Sequence, residues 1–134
     1  MLPTIDSNII NPDEVVTRYL LSSSHYSVNN SRVKPRALEP SPSDQSTSVF
    51  RVNGLGEDEI WDMGTRLVVG QRAEQLHARA DISVSDVLNL SLSTRPDEPP
   101  VRHALIYGWS NEKHARMAKA QELAATASLK MLNP

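Results

Sequence analysis

Residues 76–82 read Leu-His-Ala-Arg-Ala-Asp-Ile. In an extended chain Leu76, Ala78, Ala80 and Ile82 point to one side, and His77, Arg79 and Asp81 point to the other. A period of two predicts a half-buried strand from Gln75 to Ile82, with small residues lying under a helix and a polar row on the opposite face. That row is read in two ways: as a solvated face carrying a local Arg79–Asp81 ion pair, or as the floor of a site.

Working outward, Gly56–Gly70 predicts the preceding helix. Glu57, Asp58 and Glu59 complement the positive end of its dipole, and Ile60, Met63, Gly64, Leu67 and Val68 fall on one stripe. Gly70 is placed to cap its C-terminus. Before it, Ser48–Asn53 is rich in β-branched and aromatic residues and predicts a strand. After the 76–82 strand, Ser83 and Asp86 open a short helical turn, followed by an extended Leu90–Thr94. Arg95–Pro100 is a rigid polar connection. Val101–Trp109 predicts a second strong strand, expected to neighbour the first, so that His77 and His103 face one pocket.

The ends of the chain read as helical. Asn11, Pro12 and Glu14 form a capping arrangement ahead of Val15, Val16, Tyr19 and Leu20, which predicts a helix ending near Ser22. From Ser110 the sequence predicts a helix running almost to the C-terminus. Its seam is Met117, Ala120, Ala124, Ala127 and Met131, suited to close packing on a sheet or on a second copy in a homodimer. Residues 22–46 are Ser-, Asn- and Pro-rich and predict a long loop with a short extended segment near Arg32–Lys34. The order of elements predicts a single α+β domain over residues 1–134, with a small three- to five-stranded sheet and helices packed on one face.

Composition narrows the functional classes. The formal net charge is −2, which speaks against broad coating of nucleic acid or membrane by bulk charge. Cysteine is absent, so disulfides and thiolate metal sites are excluded. The first ten residues lack the basic and apolar regions of a signal peptide, and no apolar run approaches the roughly 18 residues of a membrane span. The expectation is a cytoplasmic protein with no membrane partner and no cofactor. Glycine-rich phosphate loops, H-E-x-x-H, EF-hand loops and the G-x-S-x-G nucleophile elbow are all missing.

Three groups of residues carry candidate chemistry. In the first, His77 and Asp81 make an orienting pair beside Arg79, a holder of anions. In the second, His103, Tyr107 and Trp109 share one strand face and offer a proton carrier, a hydroxyl and a stacking surface. His77, His103 and Asp81 are thus the catalytic candidates, and no third ligand at diagnostic spacing turns the histidines into a metal site. In the third, His25, Tyr26, Arg32, Lys34 and Arg36 gather cationic groups around one aromatic ring, with Arg51 extending the patch. Converged, these residues form a His- and Arg-lined cleft for an anionic ligand: a nucleotide, a nucleic-acid phosphate or another phosphorylated compound. The competing expectation is a non-catalytic protein–protein interaction module, an adaptor, inhibitor or immunity-type protein, with Trp61 or Trp109 exposed as anchors.

Overall fold

The computed structural model describes residues 8–70 and 75–132. The opening residues, on which the absence of a leader was judged, lie largely outside that range. Among the described residues, eight strands and three α-helices follow one another. They are β1 (Val15–Leu20), β2 (Tyr26–Ser27), β3 (Arg32–Val33), β4 (Thr47–Arg51), α1 (Glu57–Gly64), β5 (Ala78–Ser83), α2 (Val84–Asn89), β6 (Ser93–Pro96), β7 (His103–Tyr107), α3 (Lys113–Thr126) and β8 (Ser128–Met131). Six strands make one antiparallel sheet in the order β6-β7-β4-β1-β5-β8, and β2 pairs with β3 in a separate two-stranded ribbon.

The sheet is therefore larger than the expected three to five strands, and the helices are not confined to one face. On one face α2, α3 and the 35–38 turn cover Val16, Leu20, Val49, Ala80, Ile82, Ala104 and Ile106. On the other, α1 covers Tyr19, Phe50 and Val52 through Ile60 and Met63. Two readings account for the missing strands. Val15–Leu20 is a strand, not a helix, because it lies inside the sheet between β4 and β5. Val16 and Leu20 enter one core while Val15 and Tyr19 enter the other, so burial on both faces erases the alternation that marks a one-sided strand. The turn at residues 11–14 does form: the Glu14 carboxylate accepts from Asn11 N–H and the Glu14 N–H donates to Asn11 O. It leads into β1 instead of a helix.

The second correction is at the C-terminus. Helix α3 stops at Thr126, Ala127 turns extended, and Ser128–Met131 pairs along the outer edge of β5. Ala120 and Ala124 of the small-residue seam are buried against this chain's own sheet. Their packing partner is intramolecular. Met117 remains exposed on the outer side of the helix, and Met131 belongs to β8.

Gly64 allows α1 to approach the sheet. A Cβ there would stand 2.4 Å from Cε1 of Tyr19. The Tyr19 hydroxyl donates to Ile60 O at 2.5 Å, and its ring lies 5.7 Å from that of Phe50. Beyond Gly64 the helix widens into a π-turn at Thr65–Val69, closed by Gly70 in the left-handed half of backbone space at φ 50°. That turn hangs Leu67 and Val68 over the sheet.

Candidate functional site

Strand order decides which predicted residues meet. β5 and β7 are separated by β4 and β1, three interstrand steps or about 14 Å at ~4.8 Å each. The expected neighbouring of these strands is corrected, and His77 and His103 belong to different regions.

His77 sits with the loop residues. Its Nδ1 is 3.0 Å from the Tyr26 hydroxyl, with the two rings edge to face. His25 ends the preceding 3-10 turn. Burial, and then the positive charges of Arg18 and Arg36, hold the His25 imidazole below its usual range. Arg32, Lys34 and Arg36 are exposed along β3 and the following turn. Lys34 and Arg36 rim an apolar groove against α3.

The polar row of residues 77–81 is largely consumed by the fold. Arg79 is 1 % exposed and gives Nε and Nη2 to Asp81 and a further Nη2 bond to Glu57 at 2.8 Å. Its guanidinium stacks 4.7 Å from the Trp61 ring, a cation–π contact. Arg51 is equally buried, held by both oxygens of Glu14 at 2.7–2.8 Å. Both guanidiniums are buried in these ion pairs. Trp109 is also buried, donating Nε1–H to Ile106 O. Tyr107 is exposed at the far end of β7 under the guanidinium of Arg95.

His103 faces a groove that contains both a hydroxyl and an arginine. The groove encloses about 370 Å³ between the 65–69 turn and the 97–102 loop. Tyr19, Phe50, Leu67, Val68 and Pro100 form its apolar walls, while Arg18, Ser48 and His103 supply the polar groups. Its volume and its few convergent polar groups match the form of small-molecule sites, whose volumes run from about 300 to 1,000 Å³.

Each polar group is positioned by an identifiable element. Phe50 and His103 are register partners on β4 and β7, and Ser48 lies two residues along β4 on the same face. The β6–β7 loop is closed by Asp97 N–H donating to His103 O. This brings Asp97 back onto the imidazole, where His103 Nδ1 is 3.0 Å from Asp97 O and 3.1 Å from Asp97 Oδ2. On the other side of the ring, His103 Nε2 is 2.5 Å from Ser48 Oγ. Both oxygens facing Nδ1 are acceptors, so Nδ1 carries the proton in the neutral ring. Nε2 then accepts the Ser48 hydroxyl proton.

Arg18 occupies a break in the sheet. The β1–β4 ladder is formed at Val16–Arg51 and Thr17–Phe50 and is not continued at Arg18. The Arg18 side chain spans the opening, donating Nη1–H to Ser48 O at 3.1 Å and Nε–H to Ala37 O at 3.1 Å. A fixed positive charge is thereby held against the backbone of Ser48 at one end of the groove.

Arg18, Ser48 and Asp97 were not among the sequence candidates. Arg18 lay in the segment read as a helix, Ser48 in a strand read only for its propensity, and Asp97 in a connection read only for its rigidity. The usable signal was Asp97 six residues before His103 across a Pro-Pro turn, the spacing of a closed hairpin loop. Among the described residues no group of three or more His, Cys, Asp or Glu is arranged to hold a metal ion, and no helix is long and apolar enough to cross a membrane. The chain matches no family model, no curated protein and no solved structure.

Proposed function

We propose that the protein binds a small anionic ligand, phosphorylated or carboxylated, in the groove formed by Arg18, Ser48 and His103. The observation that carries this reading is that Arg18 and the Ser48–His103 pair line one open groove of mixed polar and apolar character. With Nε and Nη1 engaged by Ala37 O and Ser48 O, Arg18 offers an anion its fixed positive charge, an attraction that acts through Coulomb's law without a bidentate contact.

Thermal melting with inorganic phosphate and with short carboxylates tests the reading. An anion at 100 times its Kd adds about 2.7 kcal/mol to stability. For 134 residues at ~2.1 cal/mol/K per residue, that corresponds to a rise of about 10 °C. The rise is expected to shrink in Arg18→Gln and to persist in Arg18→Lys. A protein whose melting temperature responds to none of these anions does not have this site.

A second reading, a protein-binding module, draws on the apolar groove between residues 34–39 and α3. Lys34, Arg36 and His114 rim it against a single acid, Glu39, and Met117 is exposed within it. The partner that fits is an amphipathic helix with acidic flanks. Fluorescence anisotropy with a Leu/Glu model helix should show binding that Met117→Glu abolishes; equal binding by the variant counts against it.

A further inference from the structure

We propose that Ser48 is a nucleophile and that the groove catalyses hydrolysis of a small carboxylic ester with an apolar acyl group. This rests on the reading of the groove as a site that accepts negative charge beside Arg18. The geometry behind it is the sequence of contacts Ser48 Oγ to His103 Nε2 at 2.5 Å and His103 Nδ1 to Asp97 Oδ2 at 3.1 Å. A base within hydrogen-bond reach of a hydroxyl, itself oriented by a third group, is the arrangement that activates a serine.

The ring orientation is fixed from both sides. Asp97 offers two acceptors to Nδ1, its carboxylate and its own carbonyl. The tautomer with a free lone pair on Nε2 is therefore the one favoured, and that lone pair faces Ser48. A purely structural Ser–His bond buried in a core would have no such exposure. Here both residues line an open groove, and neither is fully buried.

The reaction follows from these positions. Ser48 Oγ bonds to the ester carbonyl carbon as its proton passes to His103 Nε2. Asp97 then holds the Nδ1–H of the imidazolium. The carbonyl oxygen becomes negative in the field of the Arg18 positive charge, which is held in place by its bonds to Ser48 O and Ala37 O. Collapse breaks the ester C–O bond, and His103 returns the proton to the departing alkoxide, leaving an alcohol and an acyl-Ser48. Water adds to that carbonyl and gives a proton to His103. The second collapse breaks the bond to Ser48, which recovers its proton, and the carboxylic acid leaves. Tyr19, Phe50, Leu67, Val68 and Pro100 face the acyl chain. Asp97 acts through His103 and is a positioning residue; Ser48 and His103 touch the reacting atoms.

The test uses the full chain and a fluorophosphonate probe, which bonds covalently only to an activated nucleophile, together with p-nitrophenyl butyrate hydrolysis. The expected result is one adduct, mapped by mass spectrometry to Ser48 and absent in Ser48→Ala and His103→Gln. Labelling rates are compared across a range of pH in each variant. Asp97→Asn should slow labelling about 10-fold and alter its pH profile, since the carbonyl of residue 97 still holds Nδ1. Circular dichroism melts establish that each variant is folded. No adduct, or an adduct at another residue, overturns the proposal. A phosphate-induced rise in melting temperature with no adduct leaves an anion site without a nucleophile; loss of both responses removes the two readings together.

Discussion

At a solvent-facing position inside a helix, replacing glycine by alanine stabilises a protein by about 1 kcal/mol. At Gly64, in the last turn of α1, the sign should reverse. The added methyl would lie 2.4 Å from Cε1 and 2.6 Å from Cδ1 of Tyr19, so the ring has to retreat by roughly 1 Å to reach ordinary contact at ~3.5–4.0 Å. That ring has little freedom: it is 6 % exposed, packed on Phe50, and tied through its hydroxyl to Ile60 O. Overpacking costs about 1–3 kcal/mol, and weakening the hydroxyl bond adds about 1 kcal/mol. Subtracting the propensity gain leaves Gly64→Ala destabilised by about 2 kcal/mol, or about 7 °C at ~2.1 cal/mol/K per residue over 134 residues. Urea denaturation of the single and double variants measures it. In a Tyr19→Leu background the space is available, and Gly64→Ala should become neutral or stabilising by about 1 kcal/mol. Because Tyr19 is a wall of the His103 groove, the single variant should also respond less to phosphate. A Gly64→Ala protein as stable as the parent would refute the close approach of α1 to the sheet.

Other outcomes follow from the buried charges. Glu14→Gln leaves Arg51 buried without its anion and should cost about 3–5 kcal/mol by urea melts, most of it recovered in Glu14→Leu/Arg51→Met. Burial opposes the Glu14 carboxylate, but the Arg51 and Asn11 hydrogen bonds outweigh it and hold its pKa below 4.5. Its contribution is complete above that value and lost as pH falls through the lower folded value; acid titration of stability should therefore be shallower in Glu14→Gln. His25 behaves oppositely, since burial and the charges of Arg18 and Arg36 depress its folded pKa below 6.5. The unfolded chain takes up that proton first, so stability should drop as pH falls below about 6.5, and His25→Asn should flatten the drop. Arg79→Met, which removes the partner of Asp81 and Glu57, should destabilise the fold by about 3 kcal/mol yet leave the phosphate-induced rise in melting temperature intact.

Much of the sheet was readable because its strands alternate. Leu76–Ile82 shows why: Ala78, Ala80 and Ile82 reach the α3-side core as the period requires, although Leu76, before the strand begins, turns into the other one. β1 was unreadable for the complementary reason. Flanked on both sides and covered on both faces, its Val-Val-Thr-Arg-Tyr-Leu carries apolar residues at successive positions, and the turn ahead of it shares its hydrogen bonding with a helix cap. β8 continued an alanine-rich run whose local sequence has no stop signal; pairing with the free edge of β5 overrode propensity there.

The candidate site was legible in one residue of four. His103 stood out as a titratable group on a strong strand. Its partners depend on register and loop closure, which sequence spacing alone does not supply: Ser48 meets it through the β4–β7 pairing, and Asp97 through the hairpin. Arg18 depends on a break in the ladder that exists only once the sheet is assembled. Two of the arginines read as candidate anion holders, Arg51 and Arg79, are committed to internal carboxylates.

The central claim is that negative charge is received beside Arg18, Ser48 and His103. Two-dimensional NMR of the full chain during titration with inorganic phosphate addresses it residue by residue. Chemical-shift changes should concentrate on the Arg18 side chain, the Ser48 amide and the His103 ring, with His77 and the α3 groove unmoved. Saturable changes centred on His77 or on Lys34 and Arg36, with His103 silent, would contradict it.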